Sequence, residues 1–281
     1  MTTARCLCGD VTWALEGRLG LMSHCHCSAC RKSHGTAYAT YVIGASRRFS
    51  LHGEGSIAAW ESSPGYVRRF CRRCGAVVPS PPSGDVTFVP AGNFDGDPPA
   101  RPSMHIFVAS KAPWFDLTDS LPRFDEYPPG IDLPSVATRT PLEPPGKPRG
   151  SCLCGAVTFV VEGDGRHAWY CHCSRCRRSR SAAFATNLVT AAGGIRFTRG
   201  AELVSEFQLP DAHYHFHAFC GVCGSSMPRI DPARGLAVTP MGSLDDAPAM
   251  LPESHIFATS KATWDAITDA LPQYDAYPPM T

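Results

Sequence analysis

The chain has 281 residues, a formal net charge of +1 and 43% hydrophobic side chains. This length suits two domains of roughly 100 to 150 residues each, and the near-neutral charge gives no support for nucleic acid or a membrane surface as the main partner. The amino-terminal residues lack a signal-peptide pattern, and no apolar run reaches the roughly 20 residues of a membrane-spanning helix. We therefore expect a cytoplasmic protein, in which the 14 cysteines more often bind metal or do redox chemistry than form lasting disulfides.

The sequence repeats itself, and the repeat sets the number of domains. Blocks of cysteine, histidine and aromatic residues follow in the same order in each half. The first residues of the matching blocks are Cys6 and Cys152, Cys25 and Cys171, Cys71 and Cys220, His105 and His255, Ser110 and Ser260, and Tyr127 and Tyr277. We predict one domain at 1–129 and a second at 150–281, joined by a proline-rich, extended linker at 130–149.

Strand patterns dominate both halves. Alternation of apolar and polar residues, or enrichment in β-branched and aromatic residues, marks four segments. The predicted strands lie in 11–16, 38–43, 157–162 and 184–189. No amphipathic helix of ordinary length stands out, and a turn or two of helix is expected only at 114–121 and 264–271. The predicted class is mainly β, with short strands and many turns.

Each half arranges seven cysteines as C-x-C, then C-x-C-x-x-C, then C-x-x-C. Structural zinc prefers four tetrahedral ligands, and glycine follows both outer pairs, where a tight turn must bend sharply. We predict that the two outer pairs share one closed zinc site, which clamps the start of the domain to its middle. The predicted closed sites are Cys6, Cys8, Cys71 and Cys74, and in the second half Cys152, Cys154, Cys220 and Cys223.

The remaining cysteines form a three-ligand set in each half. These sets are Cys25, Cys27 and Cys30, and in the second half Cys171, Cys173 and Cys176. A catalytic zinc keeps one position open for water or substrate, so each set is a candidate catalytic centre, which gives about two zinc ions per domain. Three alternatives remain: a purely structural triplet, a fourth ligand from His26 or His172, and a disulfide on oxidation. A histidine between C-x-C cysteines is badly placed for the same ion, and we expect it to face the other way.

The motif order C-x-C-G, C-H-C-x-x-C-R, F-C-x-x-C-G, H-I-F and S-K-x-x-W resembles the glutathione-dependent formaldehyde-activating enzyme family, to which centromere protein V belongs. The resemblance covers both halves and leaves out the linker. It implies two tandem β-tent domains of short antiparallel sheets, with structural zinc at the closed sites and catalytic zinc at the triplets. It also implies carbon–sulfur lyase activity, in which glutathione and formaldehyde are joined into S-hydroxymethylglutathione or released from it.

The triplet chemistry is compatible with that activity. A thiol at the open position of a three-thiolate zinc site loses its proton easily, the thiolate is the nucleophile, and zinc can also act as a Lewis acid on the aldehyde oxygen. Nearby cations would balance charge or hold glutathione carboxylates, unless they form an ordinary solvated face. The candidates are Arg31, Lys32, Arg68, Arg69, Arg177 and Arg178. His105 and His255 are either general acid–base groups or core histidines.

The halves differ where a substrate pocket is expected. Gly35 and Arg68 of the first half are replaced by Ser181 and His217 in the second. These differences question glutathione binding by the second half, so one half could be active and the other a supporting partner, with both packed as a pseudo-dimer. Two other functions stay open: a non-catalytic carrier of glutathione or its adducts, and a zinc-ribbon interaction module. The second would need a basic tail or a large basic patch, and this sequence shows only a short cluster of arginines.

Overall fold

The computed structural model describes residues 1–131 and 146–279, so most of the predicted linker lies outside the described residues. Residues 1–131 form ten strands and one seven-residue helix. In chain order these are β1 (Thr2–Arg5), β2 (Thr12–Leu15), β3 (Met22–Cys25), α1 (Ser28–His34), β4 (Ala39–Ala45), β5 (Phe49–His52), β6 (Ile57–Ser63), β7 (Tyr66–Cys71), β8 (Val77–Val78), β9 (Val86–Pro90) and β10 (Pro102–Ile106).

Residues 146–279 largely repeat this order, with eleven strands and one helix. These are β11 (Arg149–Ser151), β12 (Thr158–Val161), β13 (His167–Cys171), α2 (Ser174–Arg180), β14 (Ala185–Ala191), β15 (Ile195–Arg199), β16 (Val204–Gln208), β17 (Phe216–Cys220), β18 (Arg229–Asp231), β19 (Leu236–Pro240), β20 (Ser254–Ile256) and β21 (Gln273–Tyr274). Neither helix has the length or apolar character that spanning a lipid bilayer requires.

Each half builds three small sheets. Their strand orders are β1-β2-β5, β10-β3-β4-β9 and β6-β7-β8, and in the second half β11-β12-β15, β18-β19-β14-β13-β20-β21 and β16-β17. Pairing is antiparallel except where β10 lies beside β3, β20 beside β13 and β21 beside β20. The mainly β class is confirmed, and the four predicted strands correspond to β2, β4, β12 and β14.

The hydrophobic core is shared between the halves. Along β2, Trp13 and Leu15 are buried while the residues between them are partly exposed, which is the period-two pattern that predicted this strand. One buried cluster joins these side chains to residues of the second half such as Phe159. Each fully buried apolar side chain of this size contributes about 1.5–3 kcal/mol, and the continuous cluster links the stability of one half to that of the other.

The short helices expected at 114–121 and 264–271 are absent, and that prediction is wrong. In both segments an aspartate carboxylate accepts a hydrogen bond from the backbone N–H two residues later. The N–H of Leu121 donates to Asp119 and that of Leu271 donates to Asp269, each at 2.9 Å. Such local bonds hold the backbone in a turn and compete with helix formation.

The two halves contact each other through matched ion pairs. On α1, Lys32 Nζ lies 2.6 Å from a carboxylate oxygen of Asp245. On α2, Arg178 Nη2 lies 2.9 Å from Asp95. Lys32 and Arg178, both candidates for substrate contacts, therefore bind across the interface between the halves instead.

Gly242 is expected to accept a side chain only at a cost in stability, because it packs directly against the backbone of the first half. A Cβ at Gly242 would overlap the backbone nitrogen of Thr36, and a Cβ at the matching Gly92 would overlap that of Ala182. We expect Gly242→Ala to lower the free energy of unfolding by about 1–3 kcal/mol, measured by guanidinium denaturation. Gly96→Ala, whose Cβ would meet open space, is the control; equal losses would contradict the prediction.

Candidate functional site

All fourteen cysteines lie in the four groups into which the sequence divides them. Within each group the sulfur atoms lie within 4.8 Å of one another, and all fourteen thiols are free. We call the groups quartet one (Cys6, Cys8, Cys71, Cys74), quartet two (Cys152, Cys154, Cys220, Cys223), trio one (Cys25, Cys27, Cys30) and trio two (Cys171, Cys173, Cys176).

Quartet geometry fits a tetrahedral metal ion. The sulfur of Cys8 lies 3.5 Å from that of Cys6 and 3.6 Å from that of Cys71. In quartet two the corresponding distances from Cys154 are 3.4 Å and 3.9 Å. Four sulfurs around one zinc ion at Zn–S bonds of ~2.3 Å would lie about 3.8 Å apart. The quartets can therefore hold zinc, although the identity and number of the ions stay a prediction.

Tight turns bring each outer pair together. The backbone N–H of Val11 donates to the sulfur of Cys6 at 3.3 Å, and that of Val157 donates to Cys152 at 3.2 Å. Gly75, directly after the second pair of quartet one, has a φ of 71°, a left-handed conformation that glycine adopts without steric cost. These N–H donors stabilise the thiolate form that binds metal.

Each trio spans the end of a strand and the start of a helix. Cys25 ends β3, Cys27 is the N-cap of α1, and Cys30 lies in its first turn, with its N–H donating to the sulfur of Cys27 at 3.3 Å. The same bond joins Cys176 to Cys173 in α2. Neither helix was predicted from the sequence, although the basic residues of their last turns are a usual end signal.

No fourth metal-binding side chain joins either trio within the parts of the chain that the structure describes. The ring of His26 points away from the sulfurs, and its Nε2 lies 2.9 Å from Nδ1 of His105. His172 and His255 repeat this contact at 2.8 Å. Each trio thus offers three sulfur donors, one fewer than the four ligands of a closed zinc site.

A model of the glutathione-dependent formaldehyde-activating enzyme family matches residues 1–110 and 147–260. The chain belongs to this family. The two matched regions, one in each half, fit a tandem duplication of a single family unit. Among solved structures, a crystal structure of a Rhodobacter sphaeroides protein is similar, at 26% identity over 37% of this chain and 97% of the other, with a TM-score of 0.29. No curated protein matches the chain.

Within this family member, the two trios are unequally accessible. All three cysteines of trio one are buried, whereas Cys173 and Cys176 of trio two are only half-buried. Trio one packs against Phe107, Tyr127 and Leu153, the last of which belongs to the loop of quartet two. The other half therefore helps to cover trio one.

One cysteine of each trio is the preferred thiolate. Contacts with Cys25 and Cys30 lower the pKa of Cys27 well below its usual value. Contacts with Cys171 and Cys176 likewise lower the pKa of Cys173, to about 2. A thiolate is the form that ligates metal, so Cys27 and Cys173 are the first ligands that the trios would present to a cation.

A buried guanidinium accompanies each trio. Arg68, a sequence candidate, is buried beside trio one; burial opposes its charge, but Cys30 and other anionic groups raise its pKa overall. Arg180 has the same role beside trio two, where it interacts with Cys176 and Cys171. Arg180 was not among the residues predicted from the sequence, although its place four residues after Cys176 puts both on one helix face.

His105 and His255 fit the core-histidine alternative better than a general acid–base role. Burial lowers the pKa of His105 while Asp119 opposes that shift, so the ring is neutral near pH 7. Its Nε2–H donates to Asp119 at 2.9 Å, which leaves Nδ1 to accept from His26; this tautomer follows from the bonding pattern. His255 and Asp269 repeat the arrangement. These pairs orient the segment between the trio cysteines without contacting a sulfur.

Asp265 is expected to make stability fall with rising pH. It is buried beside Tyr38 of the first half, and burial raises its pKa to about 7. The contribution of Asp265 to the free energy of unfolding is therefore greatest below pH 4 and falls as the pH rises towards 7. In that range this carboxyl ionises only in the unfolded chain. We expect the stability advantage of Asp265→Asn to be about 2 kcal/mol greater at pH 7.5 than at pH 5.5, measured by urea unfolding. Exposed Asp116→Asn should show no such trend, and an equal trend would contradict the assignment.

Proposed function

We propose that the protein is a zinc-dependent carbon–sulfur lyase that joins a thiol such as glutathione to an aldehyde such as formaldehyde, or cleaves the resulting adduct. The observation that supports this proposal most directly is the convergence of three thiol sulfurs in each trio with no fourth protein ligand among the described residues. Membership in the glutathione-dependent formaldehyde-activating enzyme family agrees with a thiol and an aldehyde as substrates.

The two kinds of cysteine group have different roles in this proposal. Each domain, 1–129 and 150–281, would hold one zinc ion in its quartet and one in its trio, which gives about four ions per chain. All four positions around a quartet ion are taken by protein sulfurs, so the quartets stabilise the fold. The trios are the catalytic sites.

The side chains around a trio would prepare the reaction. A zinc ion held by three thiolates supplies one free coordination position and lowers the pKa of a thiol that enters it. The N–H groups of Cys30 and Cys176 hold the preferred thiolates in place. Arg68 and Arg180 offset negative charge, because three thiolates exceed the charge of one divalent ion. The histidine pairs fix the direction of the strand-to-helix connection.

The proposal is tested by removing one cysteine from each trio of the full chain. We expect Cys25→Ala/Cys171→Ala to keep its circular dichroism spectrum and to lose about two of four zinc ions. Formaldehyde consumption with glutathione should fall to the uncatalysed rate. Unfolding of the variant would show that the trios are structural. Glutathione binding to the wild-type chain without any rate enhancement would instead identify a carrier.

A further inference from the structure

The second half holds the more accessible trio, although its sequence departs further from the family pattern. Cys173 and Cys176 are half-buried, whereas trio one is buried throughout. The β16–β17 connection runs from residue 209 to 215, whereas β6 and β7 are joined by only two residues, Pro64 and Gly65. The greater exposure of Cys173 and Cys176 favours trio two as the place where a thiol enters.

A cation and a histidine have exchanged places between the halves. In the first half, Arg68 is on strand β7 and His34 ends helix α1. In the second half, the strand position holds His217 and the helix position holds Arg180. Each half thus keeps a buried guanidinium at one of these two positions, although the supporting element differs. The replacement of the strand arginine by His217 in the second half is therefore compensated by the positive charge of Arg180.

Arg180 has an unused hydrogen-bond donor. Its Nη2 lies 3.4 Å from the amide oxygen of Asn187, but its buried Nη1 has no hydrogen-bond partner among the described residues. The side chain is 7% exposed, and burial lowers its pKa to about 10 against the opposing effect of Cys176 and Cys171. It therefore remains a cation near pH 7, and an unpaired buried cationic donor is costly.

The chemistry of the missing partner follows from the donor. A guanidinium pairs best with a planar carboxylate or a phosphate. Arg180 lies one helical turn after Cys176 and faces the same side of α2, so its partner would lie beside the ligand of trio two. Nδ1 of His215 is another buried nitrogen without a hydrogen-bond partner among the described residues. Burial lowers the pKa of this ring, and the negative charge of Cys173 opposes that shift. A thiol whose carboxylate lies a few bonds from its sulfur matches this arrangement.

We propose that trio two is the site that takes the thiol substrate, and that Arg180 anchors a carboxylate of that substrate. This inference rests on the proposed function and adds which half binds and which side chain selects the substrate. It reverses the sequence-based expectation that glutathione binding by the second half is in question.

The test compares two thiols on the zinc-loaded full chain by calorimetry. Glutathione carries carboxylates, and 2-mercaptoethanol carries none. We expect Arg180→Gln to weaken glutathione binding by about tenfold or more and to leave 2-mercaptoethanol binding unchanged. The matched control is Arg196→Gln, which removes an exposed arginine of the second half that pairs with Glu162, and it should bind glutathione as the wild-type chain does. Cys171→Ala should abolish the glutathione binding that depends on Arg180.

The outcomes separate this inference from the proposed function. Glutathione binding at wild-type affinity by Arg180→Gln would overturn the anchor, and the same result for Cys171→Ala would overturn the choice of half. If Arg180→Gln does not fold, Arg180→Lys decides, because it keeps a cation and loses the forked geometry: a reduced glutathione affinity supports the anchor, and an unchanged one contradicts it. If neither thiol binds the wild-type chain, the proposed function itself fails.

Discussion

Replacement of Cys220 by alanine is expected to unfold the second half of the protein. Cys220 is fully buried in quartet two, and its loss leaves three sulfurs where a structural zinc ion needs four. Structural zinc supplies about 10–16 kcal/mol of apparent binding free energy in small domains, whereas a whole domain is stable by only about 5–15 kcal/mol. The loss of one ligand therefore threatens the entire folding free energy.

Zinc analysis and thermal unfolding by circular dichroism test this expectation. The Cys220→Ala chain should lose zinc and part of its cooperative transition. The control is Val222→Ala in the same turn, because Val222 is 42% exposed and surface changes rarely exceed about 0.5 kcal/mol. A Cys220→Ala chain that retains all its zinc and unfolds like Val222→Ala would contradict a structural role for quartet two.

The closeness of the cysteines within each pair and each trio could be predicted from sequence because it rests on local spacing, whereas the union of two distant pairs in a quartet followed from the need of zinc for four ligands. Two thiols in C-x-C or C-x-x-C are brought together by one turn, whatever the rest of the chain does, and glycines such as Gly75 mark where that turn bends. The strands were predictable for a similar reason, since alternation along 11–16 is a direct record of which side chains face the core. Both signals are contained in a few neighbouring residues.

Accessibility of the trios could not be predicted in this way. Trio one is covered by Tyr127 from the end of its own half and by Leu153 from the other half, and no local pattern shows which distant residues will meet. The same holds for the exchange of Arg68 and Arg180, because a comparison made position by position records a lost arginine at His217. Only the folded structure shows that Arg180, on helix α2, supplies the positive charge that the strand position lacks.

Removal of the Phe219 ring is expected to weaken both halves together. Phe219 is buried on β17, and its ring covers Gly75 of quartet one, where a Cβ would overlap it. Phe70 covers Gly224 of quartet two in the same way, and the two rings lie edge to face with centroids 6.1 Å apart. Phe219→Ala should therefore lower the free energy of unfolding by about 3–5 kcal/mol.

The Phe219→Ala substitution should also weaken the first half, at quartet one. Because the Phe219 ring shields Gly75, its removal should let a chelator extract zinc from quartet one faster, although every ligand of that quartet is unchanged. Phe197→Ala provides the control, since this ring lies partly exposed against Phe159 of its own half and contacts neither quartet turn. A smaller loss of stability and unchanged chelation are expected there. If Phe219→Ala affected only quartet two, the halves would be stabilised separately, and the tandem arrangement would not couple one metal site to the other.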